Sequence, residues 1–297
     1  MGVFSTNIKT LNYYAAWLHG LSFVVILGLF ITMSGPVNFN TDLFKMEIDS
    51  VSDGDKEMTL QTKKTTSVST TVLQTCILLM FGLTCLIHIF YYTDAFKTGF
   101  YTSELKKGRN RVRWIEYGIT STIMIFVTAI ISGVKGSDTV FAICTSNLVL
   151  MAFGYLIEMT PSVEGKIVAL LAGFFSLSCI WYLILSNFYS RISETEDLEK
   201  TRPDGSIQTR DIPSWIKQVI TPLFIWYLLF GVIALLYVRK YRKSKNEGVD
   251  LDFKVYERYY IILSYISKAF IGYYLAFGLT RPEPDEEDKG DFKRKTN

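Results

Sequence analysis

Residues 259–280 read YYIILSYISKAFIGYYLAFGLT, a run whose single charge, Lys268, falls close to its middle. A helix needs roughly 20 apolar residues to cross a hydrocarbon core about 30 Å thick, and this run meets that length. Six more windows of the same kind lie upstream, at 10–41, 65–93, 114–134, 139–157, 167–190 and 218–238. The 297-residue chain carries 31 Lys and Arg and 28 Asp and Glu, yet the seven windows hold only two of these charges, Lys268 and Glu116. Averaged over its length the chain looks like an ordinary soluble protein, 49% hydrophobic, 20% charged and with a net charge of +3. The segregation of the charges excludes that class, and with it a nucleic-acid binder or a disulfide scaffold. All four cysteines (Cys76, Cys85, Cys144, Cys179) fall inside apolar windows without metal-ligand spacing, so they read as small core residues.

The pattern predicts an all-α membrane protein, a seven-transmembrane-helix bundle with helices over about 13–33, 66–93, 109–134, 138–158, 163–190, 214–238 and 256–280. The first apolar stretch is too long for a signal peptide and is preceded by one basic residue, Lys9. Residues 1–282 form the bundle in this reading, and the charged segment 283–297 reads as a disordered tail. Alternating residues on either side of Ser52-Asp53-Gly54-Asp55 predict an extracellular β-hairpin over about 40–64, as a lid on the bundle or as a subunit contact. A charged outer loop over 191–212 carries a turn at Pro203-Asp204-Gly205. No internal repeat of the transporter kind is present.

Lys and Arg set the orientation. The side holding the N-terminus carries fifteen basic residues, against ten on the other side once the tail is set aside. Those fifteen crowd the helix ends, as in Lys106-Lys107-Gly108-Arg109-Asn110-Arg111 and Arg239-Lys240-Tyr241-Arg242-Lys243. The expectation is an integral, multi-pass protein with a cytoplasmic N-terminus and an extracellular C-terminus, its basic clusters facing anionic lipid.

An ionisable residue inside the bilayer is costly, about 2.5–3.5 kcal/mol or more, and marks a functional site by default. Here there are two of opposite sign, and the only histidines, His19 and His88, also lie within windows. His19, His88 and Glu116 are each a few residues from the N-terminal side of the bundle, so at about 1.5 Å per residue they are level with one another. A shared polar cavity is expected there. Arg113, three residues before Glu116 and on the same helical face, is expected to enter that cavity and keep the carboxylate ionised. A buried lysine is a nucleophile toward carbonyls and forms Schiff bases, and intramembrane carboxylates serve as retinal counter-ions. The same two charges also suit a transporter ion pair, and the abundant aromatic residues are as consistent with packing as with a polyene pocket.

Particular residues point to a family. Arg113-Trp114-Ile115-Glu116-Tyr117 resembles the third-helix signature of the heliorhodopsins, and Leu263-Ser264-Tyr265-Ile266-Ser267-Lys268 resembles their seventh helix, with a serine one turn before the lysine. His19 and His88 fall where that family has two histidines, and Asn147-Leu148-Val149-Leu150-Met151 with Phe153-Gly154 is similar to its fourth-helix pocket segment. The resemblance covers all seven helices, the long first loop and the inverted, N-inside topology of this microbial-type rhodopsin-like fold. It implies an all-trans retinal bound covalently to Lys268, with Glu116 as counter-ion and Ser264 nearby. It places His19, His88 and Arg113 in the polar cavity, and Trp114, Tyr117, Thr84, Asn147 and Met151 around the chromophore; the aromatic residues Trp181, Phe224 and Tyr227 are expected to add to that pocket. It further implies a homodimer in the lipid bilayer, helped by the first loop, and a light sensor with a slow photocycle rather than a pump, although some viral members of the family pass protons in the light; no enzyme activity is expected. Departures are Thr84 where serine is usual, Ser22 where a longer glutamine-type side chain occurs, and Thr221-Pro222 in the sixth helix. The shorter Ser22 and Thr221 leave room for extra water, which keeps a light-gated proton or cation channel as the alternative. A receptor coupled to G proteins fits poorly, lacking Asp-Arg-Tyr after the third helix and Asn-Pro-x-x-Tyr in the seventh. An intramembrane enzyme would need a Ser/His, paired-Asp or metal constellation that the chain does not contain. No nucleic-acid partner is expected, and no signalling partner is identified.

Overall fold

A computed structural model describes residues 7–32, 41–48, 60–196, 198–201, 207–209, 214–279 and 292–294. Its helices are α1 (Ile8–Thr32), α2 (Thr70–Lys97), α3 (Phe100–Lys106), α4 (Arg111–Ile131), α5 (Ser137–Met159), α6 (Val163–Glu196), α7 (Ser214–Glu247) and α8 (Phe253–Leu279). All except α3 are long and apolar enough to span a membrane, giving seven spans. They close into a ring in which each span packs on its sequence neighbours and α1 packs on α8. Outward positions such as Trp17, Leu86, Ile115, Phe141 and Phe175 remain exposed. Apolar surface of that extent is unfavourable in water and suited to lipid. The protein is an integral, multi-pass membrane protein.

Four spans depart from their expected ends where polar residues continue the helix. α1 starts five residues early at Ile8, α2 continues to Lys97, and α6 and α7 run on through charged residues to Glu196 and Glu247. Amphipathic and charged residues propagate a helix into the interface once the apolar part has nucleated it. The short helix α3 has no counterpart in the apolar pattern. It is created by Asp94, whose carboxylate accepts bonds from the Thr98 hydroxyl and, at 2.6 Å, from the Tyr101 N–H, with Gly99 supplying the left-handed backbone (φ 69°) between α2 and α3.

The first loop forms the expected hairpin. Strands β1 (Thr41–Ile48) and β2 (Leu60–Val68) pair antiparallel, with a bulge between Leu43 and Phe44. The Asp-Gly turn at 52–55 lies outside the described residues. The hairpin docks on the α4–α5 turn: Phe44 N–H donates to Lys135 O at 2.8 Å, the Ser137 hydroxyl donates to Phe44 O at 3.2 Å, and Leu43 and Val68 are buried. In the loop between α6 and α7, β3 (Leu198–Thr201) pairs with β4 (Ile207–Thr209), and the turn at 203–205 lies outside the described residues. One expectation is corrected. Within the tail read as disordered, Phe292–Arg294 forms β5 and pairs with β3, adding ladder bonds along an otherwise open strand edge. The rest of 283–297 lies outside the described residues.

The core has two halves. On the side where α1 ends, it is a packed apolar cluster including Ile26, Leu73, Ile77, Phe81, Ile125, Ile130, Ile271 and Leu275. Its buried hydroxyls Thr128 and Ser132 bond to carbonyls of their own helix. On the side where α1 begins, referred to below as the N-terminal face, buried charged and polar groups are concentrated.

Candidate functional site

The two intramembrane charges meet. Lys268 Nζ lies 2.6 Å from Glu116 Oε1 and 2.7 Å from Thr84 Oγ1, and Thr84 in turn donates to Glu116 Oε1 at 2.7 Å. Thr120, one turn beyond Glu116, donates to the same oxygen at 2.8 Å. All four side chains are buried. Lys268 lies ten positions further along α8 than Glu116 does along α4, and helical side chains lean back toward the N-terminus of their helix. The long lysine stem therefore descends toward the N-terminal face and reaches the carboxylate.

On one side of the pair is a cavity with about 740 Å³ of empty space, counting its open mouth. Its wall includes six of the expected residues: Trp114, Tyr117, Met151, Tyr227, Ser264 and Lys268. Residues that the sequence alone did not single out complete it, among them Thr120, Ser121, Phe174, Phe230, Gly231 and Ser267. Glycine keeps the walls close together. A Cβ at Gly154 would lie 2.1 Å from the Trp114 ring, and one at Gly231 would lie 2.8 Å from the Phe174 ring. Tyr117 is fixed by donating to Tyr260 O at 3.1 Å, and Tyr227 by donating to Ser121 O at 3.0 Å.

Other expected residues stand further back. Asn147 is off the wall and donates to Ser121 Oγ at 2.8 Å, a hydroxyl that is on it. Trp181 and Phe224 are also off the wall, packed edge-on in the core, with Trp181 5.7 Å from Tyr227. His19 and His88 stack at 5.6 Å between ring centres, and Tyr265, three residues before Lys268, meets His19 edge-on at 5.2 Å. Thr84 lies one turn from His88 on α2, so the histidines flank the ion pair from α1 and α2.

Arg113 requires a correction. Its guanidinium does not serve Glu116. It forms ion pairs with Glu158 of α5 and Glu257 of α8, all three residues being buried. The physical reason is competition. Lys268 and two threonine hydroxyls already satisfy Glu116, whereas Glu158 and Glu257 would be uncompensated buried charges without Arg113. Both glutamates sit at the ends of apolar windows, where the sequence alone gives no sign that they turn inward.

Asn110 organises this centre. Its side-chain carbonyl caps α4 by accepting from Arg113 N at 3.2 Å, its amide donates to Glu257 at 2.7 Å, and its backbone N–H donates to Glu158 at 2.8 Å. From Glu257 the network continues through the Tyr101 hydroxyl (3.0 Å) and the Asn12 amide (3.1 Å) to His88 Nδ1, 2.7 Å from Asn12 Oδ1. Buried polar groups therefore link the neighbourhood of the ion pair to the N-terminal face. Among the described residues, no equivalent connection crosses the apolar half.

A primary amine buried against a carboxylate, at the wall of an aromatic cavity inside seven spanning helices, defines a rhodopsin-type membrane protein. The heliorhodopsin family model matches residues 8–279, and the chain belongs to that family. Among solved structures, the chain is similar to the crystal structure of a light-driven proton pump LR (Mac) from Leptosphaeria maculans. The TM-score is 0.57 at 10% identity, over 94% of this chain and 96% of that one, a likeness of fold. No curated protein matches. The protein is therefore a retinal protein that responds to light. The residues present fit that chromophore: the amine is at the cavity wall, and the glycines hold flat aromatic faces where a Cβ would intrude.

Proposed function

We propose that the protein is a light sensor in which all-trans retinal is attached to Lys268, with Glu116 as counter-ion. The observation that carries this reading is the buried Lys268–Glu116 pair beside an apolar, aromatic-walled cavity. Bound retinal supplies a light-absorbing polyene whose isomerisation alters the position and proton affinity of the nitrogen at Lys268. The chain's own residues do the rest. Glu116, held by Thr84 and Thr120, fixes a negative charge beside that nitrogen in a site of low dielectric. Trp114, Tyr117, Met151 and Tyr227 confine the polyene, and Ser264 sits one turn from the lysine. His19 and His88, stacked beside the pair, would receive a proton that passes beyond Glu116.

Sensing is favoured over pumping by the asymmetry of the core. Polar groups continue from the histidines toward Glu257 and Arg113, while the opposite half is closed by Ile26, Leu73, Ile77, Phe81 and Ile271. Among the described residues the hydrogen-bonded side chains lead toward one face only, which favours a photocycle that returns the proton to the side it left. The reading includes an N-inside orientation, from the basic helix ends, and a homodimer to which the β1–β2 hairpin contributes. A light-gated proton or cation channel is the second reading, and the polar network on the N-terminal side is what favours it. Voltage clamp under illumination separates the two. A sensor gives no sustained photocurrent at any holding potential, together with a photocycle visible by flash spectroscopy. A steady current that reverses with the ion gradient establishes the channel instead.

A further inference from the structure

A second cavity lies at the N-terminal face, separate from the aromatic one. Its wall brings together Lys106, Lys107 and Arg109 from the α3–α4 turn, Lys166 from the first turn of α6, and Tyr237 and Tyr241 from α7. It contains about 710 Å³ of empty space, counting its open mouth. Lys106 and Lys107 are exposed at the rim.

Lys166 is unusual for its position, because a residue so near a helix end has an easy route to water. Instead it is only 1% exposed. Its ammonium donates to Ile157 O and, at 3.4 Å, to the Tyr237 hydroxyl, and lies 4.3 Å from the centre of the Tyr241 ring. Among the described residues no carboxylate pairs with it within 4.0 Å, and beyond its two hydrogen bonds it faces the Tyr237 and Tyr241 rings. Glu158, the one carboxylate on the wall, is already engaged by Arg113 and the Asn110 N–H. The cavity is therefore built around a buried cation whose one carboxylate neighbour on the wall, Glu158, is shared with Arg113.

The frame is rigid. Tyr237 accepts from Lys166 and donates to Gly108 O at 3.2 Å, tying α6, α7 and the α3–α4 turn together, and Gly108 makes that turn with φ 70°. Tyr241 donates to Pro161 O at 2.7 Å. Arg109 is committed to Glu104. The groups left for a ligand are thus the ammonium point charges of Lys106, Lys107 and Lys166, without a free planar guanidinium. That set matches a tetrahedral anion with several acceptor oxygens better than a planar carboxylate.

We propose that this cavity binds a phosphate group, with Lys166 at its floor and Lys106 and Lys107 closing over it. A phospholipid headgroup and a free phosphate share this chemistry. The test uses the full chain purified in detergent. In the first arm, thermal unfolding is followed as inorganic phosphate is raised against sodium chloride of matched ionic strength. In the second, retention of phosphatidylglycerol against phosphatidylcholine is measured by native mass spectrometry. Deleting one charge-assisted hydrogen bond to a ligand weakens its affinity about tenfold or more. Lys166→Met is therefore expected to weaken phosphate or phosphatidylglycerol binding by about that factor. Lys107→Gln, at the exposed rim, is expected to weaken it less and leaves the fold intact if Lys166→Met disturbs it. Saturable stabilisation by inorganic phosphate that both variants weaken supports a free-phosphate site. Selective retention of phosphatidylglycerol that both variants weaken, without a phosphate effect, supports a headgroup site. If Lys107→Gln binds both ligands as the parent does, or the parent binds neither, the proposal is overturned.

Discussion

Arg113 is the residue whose removal the structure constrains most closely. It is 3% exposed and is the one cation that Glu158 and Glu257 share, with the Tyr260 ring 4.1 Å from its guanidinium. Arg113→Met keeps most of the stem volume and deletes the charge. Breaking a buried ion pair by removing one partner costs about 3–5 kcal/mol, because the remaining charge is left uncompensated. Two carboxylates are left here, but Glu257 keeps bonds from Asn110 and Tyr101 and Glu158 keeps one from the Asn110 N–H, so the loss stays within that range. At roughly 2–4 °C per kcal/mol for a chain of this size, the melting temperature falls by on the order of 10 °C. The assay is fluorescence-detected size exclusion after heating of the retinal-free protein, so that chromophore loss does not contribute. The double variant Arg113→Met with Glu257→Gln removes one stranded charge and is expected to melt above Arg113→Met alone. A melting point for Arg113→Met within about 2 °C of the parent, or a double variant that simply sums the two single losses, would show that Arg113 does not compensate these carboxylates.

Two further predictions concern other parts of the bundle. Gly154→Ala places a methyl group 2.1 Å from the Trp114 ring and forces the indole into the cavity; overpacking of this kind costs about 1–3 kcal/mol. The expected outcome is slower and less complete pigment formation on adding retinal, followed by the growth of the visible band. In the α3–α4 turn, burial pushes the Glu104 carboxyl up, but hydrogen bonds from Arg111 and Arg109 outweigh it and hold the group below the usual carboxylate range. A carboxyl whose folded pKa is depressed contributes stability that is complete above its unfolded pKa and is lost as the pH falls through the folded one. Amide exchange over residues 100–112 should therefore quicken below the ordinary carboxylate range beyond its intrinsic pH trend, and Glu104→Gln should remove that extra dependence.

The distribution of charge makes much of this architecture legible in the sequence alone. Seven windows with two charges among them specify seven spans, because the bilayer tolerates few other sequences, and alternation around an Asp-Gly specifies the hairpin. The central pair is legible for the same reason: Lys268 and Glu116 break the rule their windows obey. Arg113, Glu158 and Glu257 are not, because a charge at the end of an apolar window reads the same whether it points to water or into the bundle. The three lie on three different helices, and only the closed ring brings them within reach of one another. Lys166 is hidden in the same way, as one more basic residue at a helix end. The helix α3 escapes the apolar pattern because a polar cap, Asp94, creates it. Trp181 and Phe224 stand one layer behind the wall, and an aromatic residue at helical spacing does not reveal whether it faces a cavity or packs behind one.

The proposed chromophore site is the buried Lys268–Glu116 pair. Its most direct test is the absorption spectrum recorded after all-trans retinal is added to the expressed protein, compared with Lys268→Ala and Glu116→Gln. The expected result is a visible band in the parent that hydroxylamine bleaches, no such band in Lys268→Ala, and in Glu116→Gln a coloured form that gives way to a near-ultraviolet one at lower pH than in the parent. A visible band that survives in Lys268→Ala, or a Glu116→Gln spectrum and titration identical to the parent's, would contradict it.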